Sequence, residues 1–187
     1  MLWLHCYDTA FGPCGIAWSE KGVCGSQLPE ASAALTRDRL RQRFPNGHET
    51  QVLPPAIDAA VQAVQRLLAG ETTDHEELLL VQLDDSAVPD FHRQVLALTR
   101  QIPVGQTLTY GEIAARLGQT GAARAVGQAE GQNPFAPIVP CHRVLAAGAG
   151  QGGFSAHGGL ASKQRLLLIE ARARGQWAAE QSLLFEP

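Results

Sequence analysis

The sequence lacks any apolar run long enough to cross a bilayer, and its first residues lack the charged-then-apolar pattern of a secretory leader. A soluble, cytoplasmic protein is expected. Internal repeats, low-complexity tracts, a Walker phosphate loop and a dinucleotide fingerprint are also missing, so nothing calls for an organic cofactor. Cysteine is scarce: the four present fit a reduced compartment better than a disulfide scaffold. Cys6, Cys14 and Cys24, with His5 nearby, raise the question of zinc, yet they lack the tight two-residue spacing of structural zinc ligands. Plain thiols and no metal are expected. Net positive charge is missing too: the formal net charge is −3, which by itself argues against nucleic acid as a partner. Its distribution argues the other way. Residues 1–90 hold 6 basic against 13 acidic side chains, whereas residues 91–187 hold 9 against 5. Modest, salt-sensitive and largely sequence-independent DNA affinity is expected of the second half.

The 187 residues suffice for two small units. In the first, 2–7, 15–18 and 23–28 read as short strands, 31–44 and 56–68 as amphipathic helices, and 78–83 as a further strand. That mixture predicts an α/β domain over residues 1–86, with Asp84-Asp85-Ser86 as linker. A mainly α domain follows over 87–187, opening on a helix whose Phe91, Val95 and Leu98 share one face. Thr109 with Glu112 three residues on forms a capping-box pattern, Ile113 and Leu117 share a helix face, and Gly118 closes the helix. A second short helix over 122–129 completes a helix-turn-helix. That second helix is nearly bare, with Ala122, Ala123, Ala125, Gly127 and Ala129, and Arg124 is its only long basic group. A stripped helix suits a minor groove about 6 Å wide, where Arg124 could reach into the duplex. Equally, small residues could pack the helix closely into a core and leave Arg124 solvated.

Pro140-Cys141-His142-Arg143-Val144 carries the chemistry. It sets a thiol beside a potential base, behind a proline, after an apolar pair (Ile138, Val139) that reads as buried strand and before a glycine-rich loop. Thiols attack as thiolates, and an ordinary cysteine with pKa about 8.5 is mostly protonated at neutral pH. A neighbouring imidazole can take the proton, directly or through water, if a third group fixes its tautomer.

The run from Thr109 to Glu170 resembles the catalytic domain of the methylated-DNA:protein-cysteine methyltransferases, the O(6)-alkylguanine-DNA alkyltransferases. The matching pieces are Thr109-Tyr110-Gly111, Arg124-Ala125-Val126-Gly127, Asn133-Pro134, 138–144, and Gly158-Gly159-Leu160 with Lys163, Leu166, Leu167 and Glu170. The resemblance implies a ribonuclease H-like first domain and a helix-turn-helix, winged-helix-like second one. It implies that Cys141 accepts the alkyl group irreversibly, that His142 is a water-mediated base oriented by Glu170, and that Tyr110 donates a proton to the departing guanine. Arg124 would fill the gap left by a nucleotide flipped from the stack, with Thr109, Ala123, Ala125 and Gly127 lying against the minor groove. Asn133 would brace the turn before the acceptor, and Pro140, Val144, Phe154, Ala156 and His157 would wall the pocket. The implied partner is double-stranded DNA carrying O(6)-alkylguanine or O(4)-alkylthymine, bound by a monomer without cofactor or metal.

Three features depart from the family pattern. Residues 153–159 (Gly-Phe-Ser-Ala-His-Gly-Gly) give the covering loop a different shape, and Ala136 leaves Pro137 and Pro140 to stiffen the approach to Cys141. Glu130, late in the second helix, is expected to face phosphates and weaken binding. The thiol of Cys141 is expected to titrate below the ordinary range. Among rivals, a helix-turn-helix regulator would need side chains that read base edges, and a cysteine hydrolase would need an oxyanion-hole pattern; neither is evident. A non-catalytic alkyltransferase-like protein would typically lack the acceptor cysteine.

Overall fold

The computed structural model describes residues 1–72, 75–148 and 152–175, so the end of the expected second unit, 176–187, lies outside the described residues. β1 (Trp3–Thr9), β2 (Gly12–Ser19) and β3 (Gly22–Gln27) form an antiparallel meander, and β4 (His48–Glu49) joins β1 in parallel, giving the order β3-β2-β1-β4. Helices cover both faces. On one face Ile16 and Trp18 meet α2 (Pro55–Ala69), whose Ile57, Ala60, Val61, Val64, Leu67 and Leu68 recur at helical spacing and are buried. On the other, Leu4 and Ala17 meet Leu40 of α1 (Ala33–Arg43). The sequence reads as an amphipathic helix over 31–44, but in α1 only Thr36 and Leu40 are buried. Gly15 and Gly25 explain the narrow contact: a Cβ on Gly15 would stand 2.9 Å from Leu40 Cδ2, and one on Gly25 2.6 Å from Phe44 Cζ, so α1 lies almost on the backbone.

Two expected strands are corrected. Residues 78–83 form no strand: Glu76–Leu79 make the short helix α3, and a single parallel bridge joins Leu83 to Val23. The cause is Arg100, whose guanidinium donates to the carbonyls of Leu78 (2.6 Å), Leu79 (3.1 Å) and Val81, bunching together groups that a strand would point apart. Ile138 and Val139 likewise lie in successive turns ahead of a 3-10 turn at Cys141–Arg143. Pro134, Pro137 and Pro140 each lack the N–H that a ladder requires. The segment is held instead by the edge of β3, where Ser26 N donates to Pro134 O (2.8 Å) and Ser26 Oγ to Ala136 O (2.6 Å).

The helical part packs α4 (Asp90–Arg100), α5 (Tyr110–Arg116) and α6 (Ala123–Gly131) around Val95, Ile102, Ile113, Ala114, Val126, Ala129 and Val144, with Phe91 and Leu98 at the margin as their spacing predicts. β5 (Leu108–Thr109) pairs in parallel with β6 (Val144–Leu145), tying the start of α5 to the residues after Cys141. The capping box forms: Glu112 N donates to Thr109 Oγ1 (3.2 Å) and Thr109 N to Glu112 Oε2 (2.6 Å). α7 (Gly159–Ala173) closes the fold, and Leu166 joins Phe135, Ile138, Val139 and the α2 side chains in one core common to sheet and helices.

Candidate functional site

The 3-10 turn carries Cys141, His142 and Arg143 inward, and all three are buried. Asn133 holds the preceding loop: its Nδ2 donates to Val139 O (2.8 Å) while its Oδ1 accepts from Phe135 N (2.9 Å). Arg43 adds an anchor from α1, donating to Ser26 O (2.6 Å) and Pro134 O (3.1 Å). Cys141 is thereby fixed from both halves of the molecule.

Glu170, on α7, is the hub of the buried polar cluster. Its Oε1 lies 2.7 Å from His142 Nε2, its two oxygens accept from Arg143 Nε (3.1 and 3.0 Å), and Oε1 accepts from Arg143 Nη2 (2.8 Å). Gly105 N donates to Oε2 (2.9 Å), at a turn whose φ of +71° suits glycine. Arg143 Nη1 donates in turn to Ile102 O (2.6 Å). Burial by itself would raise the Glu170 pKa, but the His142 and Arg143 contacts outweigh it and bring it down to about 2. His142 moves the other way: burial lowers its pKa more than Glu170 raises it, so the ring is neutral at pH 7. A carboxylate facing a neutral imidazole can only accept, which puts the ring proton on Nε2 and leaves Nδ1 as a lone-pair base.

The thiol departs from expectation. Cys141 is 7% exposed, and burial, reinforced by Glu130 where that group is ionised, pushes its pKa up to about 12 against smaller lowering effects from Asn133 and Lys163. The resting site therefore holds a thiol, and the ion must form during reaction. Lys163, fully buried, donates its ammonium to Val144 O (2.7 Å) and, at 3.4 Å, to Gly153 O, and lies 5.8 Å from the Tyr110 ring centroid. Tyr110 leads outward to a cavity of about 420 Å³ lined with Gly127, Gly131, Gly153, Phe154 and Ser155. Burial, Glu130 and Cys141, in that order, raise the Tyr110 pKa, so its phenol keeps its proton.

Phe154 is the one expected pocket residue that lines this cavity. Pro140 and Val144 are buried. Ala156 lines a separate cleft of about 390 Å³ beside Arg39, Arg43 and Asn133. His157 does not line the Tyr110 cavity either; its Nδ1 lies 3.6 Å from Glu30. Thr109, expected at DNA, has its hydroxyl occupied by the cap, where it also donates to Glu112 Oε2 (2.8 Å). Arg124 is exposed and makes no hydrogen bond or ion pair with the described residues, Ala123 and Ala125 are half-buried beside it, and Gly127 faces the Tyr110 ring.

Glu130 is the largest correction. It joins Val126 and Ala129 on the inward stripe of α6, 4% exposed, so it cannot meet phosphates. Two further residues went without a role in the sequence reading, Lys163 and Arg143. A signal for Lys163 was present: it shares the 163, 166, 167, 170 stripe of α7 with two leucines and Glu170, where a charge must be buried and partnered.

Fold and site together define a protein in which a four-stranded sheet and a set of helices share one core and a buried cysteine is followed by a His–Glu–Arg cluster. The comparisons are specific. Residues 90–172 match the family model of the 6-O-methylguanine DNA methyltransferase, DNA binding domain. A methylated-DNA–protein-cysteine methyltransferase of Mycolicibacterium paratuberculosis is 44% identical over 119 residues, covering 64% of this chain and 68% of that protein. One from Methanothermobacter thermautotrophicus is 33% identical over 156 residues, covering 83% and 78%. The crystal structure of Mycobacterium tuberculosis OGT in complex with DNA superposes with a TM-score of 0.71 at 33% identity, covering 97% of this chain and 98% of that one. The chain belongs to the methylated-DNA–protein-cysteine methyltransferase family.

Proposed function

We propose that this protein repairs alkylated DNA by direct reversal, taking the alkyl group from O(6)-alkylguanine, and from O(4)-alkylthymine, onto Cys141. The observation that carries the reading is the His142–Glu170 contact, which leaves a neutral imidazole, on the residue after Cys141, whose Nδ1 has no hydrogen bond among the described residues. In the reaction the Cys141 proton passes through a water to His142 Nδ1, and Sγ attacks the alkyl carbon in line with the carbon–oxygen bond. The S–C bond forms as the C–O6 bond breaks, and the electron pair leaves on guanine. Tyr110 gives its proton to that anion, and a proton returned from His142 restores the phenol. The thioether is not hydrolysed, so each chain acts once.

The target must reach a pocket whose glycine walls, Gly127, Gly131 and Gly153, leave room for a planar base against Phe154 and Tyr110. We place α5 and α6 as a helix-turn-helix of a winged-helix-like unit (87–187) on the minor groove, with the sheet unit (1–86) ribonuclease H-like in its mixed sheet. Arg124, exposed and unpaired among the described residues, supplies the wedge that replaces the extruded nucleotide. A cytoplasmic monomer suits this work, and no helix among the described residues is long and apolar enough to cross a membrane.

Intact-mass measurement after incubation with a duplex containing O(6)-methylguanine tests the reading: one methyl per chain is expected, on the peptide that contains Cys141. Arg124→Ala tests the wedge. Transfer from duplex is expected to fall about 10-fold or more, since unstacking costs a few kcal/mol. Transfer from the free base O(6)-benzylguanine, with no stack to open, is expected to change by less than about 2-fold, because an exposed side chain with no hydrogen bond or ion pair among the described residues contributes little to the fold. If both substrates slow alike, Arg124 acts on the fold and the wedge assignment is wrong.

A further inference from the structure

Glu130 is a carboxyl group in a position that the helix pattern reserves for an apolar side chain. The Thr99 hydroxyl of α4 donates to its Oε1, whereas Oε2 is buried and has no hydrogen-bond partner. The groups around it can be named element by element. On α4 the polar neighbour is Thr99, since Arg93 pairs with Asp85 and Asp90 and Arg100 is engaged by the α3 carbonyls. α5 contributes Tyr110, while its Glu112 serves the cap. The 3-10 turn contributes Cys141, while His142 and Arg143 are held by Glu170. α7 contributes the Lys163 ammonium. Glu130 thus sits within electrostatic reach of one cation and of two groups, thiol and phenol, that become anions if the proposed transfer is right.

We propose that Glu130 is a positioning residue of the transfer site: as a neutral acid it leaves the Lys163 cation free to favour the Cys141 thiolate, and as a carboxylate it cancels that bias. The inference rests on the alkyl-transfer reading for its purpose, though not for its electrostatics. A carboxylate at Glu130 would place a second negative charge beside the forming thiolate and phenolate in a low-dielectric interior, where such repulsion is weakly screened. A neutral acid exerts no such effect. Burial raises the Glu130 pKa to about 8, against lowering contributions from the Thr99 hydroxyl and Lys163, so the acid is mostly neutral at physiological pH and ionises just above it. Ionisation also acts on the fold. With the folded pKa above the ordinary 4.5, the stability linked to this group is fully present below pH 4.5 and is lost as pH rises through about 8.

The test is the pH profile of Glu130→Gln against wild type, because glutamine keeps the shape and the bond from Thr99 but cannot ionise. Two rates are measured from pH 6 to pH 10: single-turnover transfer from free O(6)-benzylguanine, which excludes DNA phosphates, and alkylation of Cys141 by iodoacetamide, followed by mass spectrometry. The ratio of variant to wild-type rate is expected to rise with pH in both, by about 10-fold between pH 7 and pH 9, the change for one unit of thiol pKa. A structural effect of the substitution would shift the ratio equally at every pH. A ratio flat across pH in the iodoacetamide rates overturns the proposal. If that ratio rises while wild type takes no alkyl group at any pH, the proposal about Glu130 stands and the alkyl-transfer reading falls.

Discussion

Cys141→Ser is expected to abolish alkyl transfer to the protein, with no methyl added after prolonged incubation with O(6)-methylguanine duplex, while binding to unmodified duplex persists. Even the thiol is pushed up to about 12 in this closed site. A serine hydroxyl, far less acidic and a harder nucleophile, would have to ionise in the same low-dielectric surroundings. The substitution swaps sulfur for oxygen in a side chain of the same shape, so the surface that carries Arg124 is untouched. The other thiols offer no substitute. Cys14 is buried with a pKa also raised to about 12, and desolvation raises those of Cys6 and Cys24. These three lie on the sheet, on β1, β2 and β3. Peptide mapping that finds methyl on any of them, in wild type or variant, would overturn the acceptor assignment.

Glu170→Gln is expected to slow transfer by about 10²–10⁴-fold and to destabilise the fold by about 3–5 kcal/mol. Glu170 is buried and satisfies His142, Arg143 and the Gly105 amide at once. A neutral amide leaves the buried Arg143 cation without its counter-charge, which is the source of the stability loss. The rate loss comes from the imidazole: a glutamine NH2 can donate to Nε2, moving the ring proton to Nδ1 and removing the base next to the thiol. The pH dependence follows from the depressed carboxyl. Because its pKa falls from 4.5 unfolded to about 2 folded, the Glu170 contribution is present above pH 4.5 and is lost as pH falls towards 2. Wild type should therefore lose its advantage over the variant in melting temperature across that interval. Transfer rates equal to wild type at neutral pH would show that Glu170 holds Arg143 alone and does not orient His142.

Several parts of this arrangement were legible in the chain because local rules fix them. Thr109 and Glu112 are three residues apart and make a cap wherever the helix packs; Cys141 and His142 are neighbours; the α2 and α4 stripes follow from helical spacing. The failures share a cause. Residues 78–83 and 138–139 are apolar enough for strands, but the first is claimed by a guanidinium from Arg100, some twenty residues on, and the second is flanked by prolines at 137 and 140 and turns back so that Val139 N donates to Phe135 O. The resemblance places His157 in the pocket wall, whereas in the fold its Nδ1 lies 3.6 Å from Glu30, a residue of the first half of the chain.

The sequence by itself determined which groups are candidates for the chemistry: Cys141 beside His142, Glu170 28 residues further on, Tyr110 at a capped helix start, and Arg124 on a helix with few other long side chains. Only the tertiary structure decided their electrical state. A helix built from alanine and glycine has no broad apolar stripe to set its rotation, so whether Glu130 met phosphates or core depended on α4, α5 and α7 packing around Val126 and Ala129. Burial keeps Cys141 and Tyr110 protonated and His142 neutral, and the His142 and Arg143 contacts, working against burial, keep Glu170 ionised. Desolvation and charge proximity are properties of groups brought together from distant segments, and no spacing along the chain encodes them.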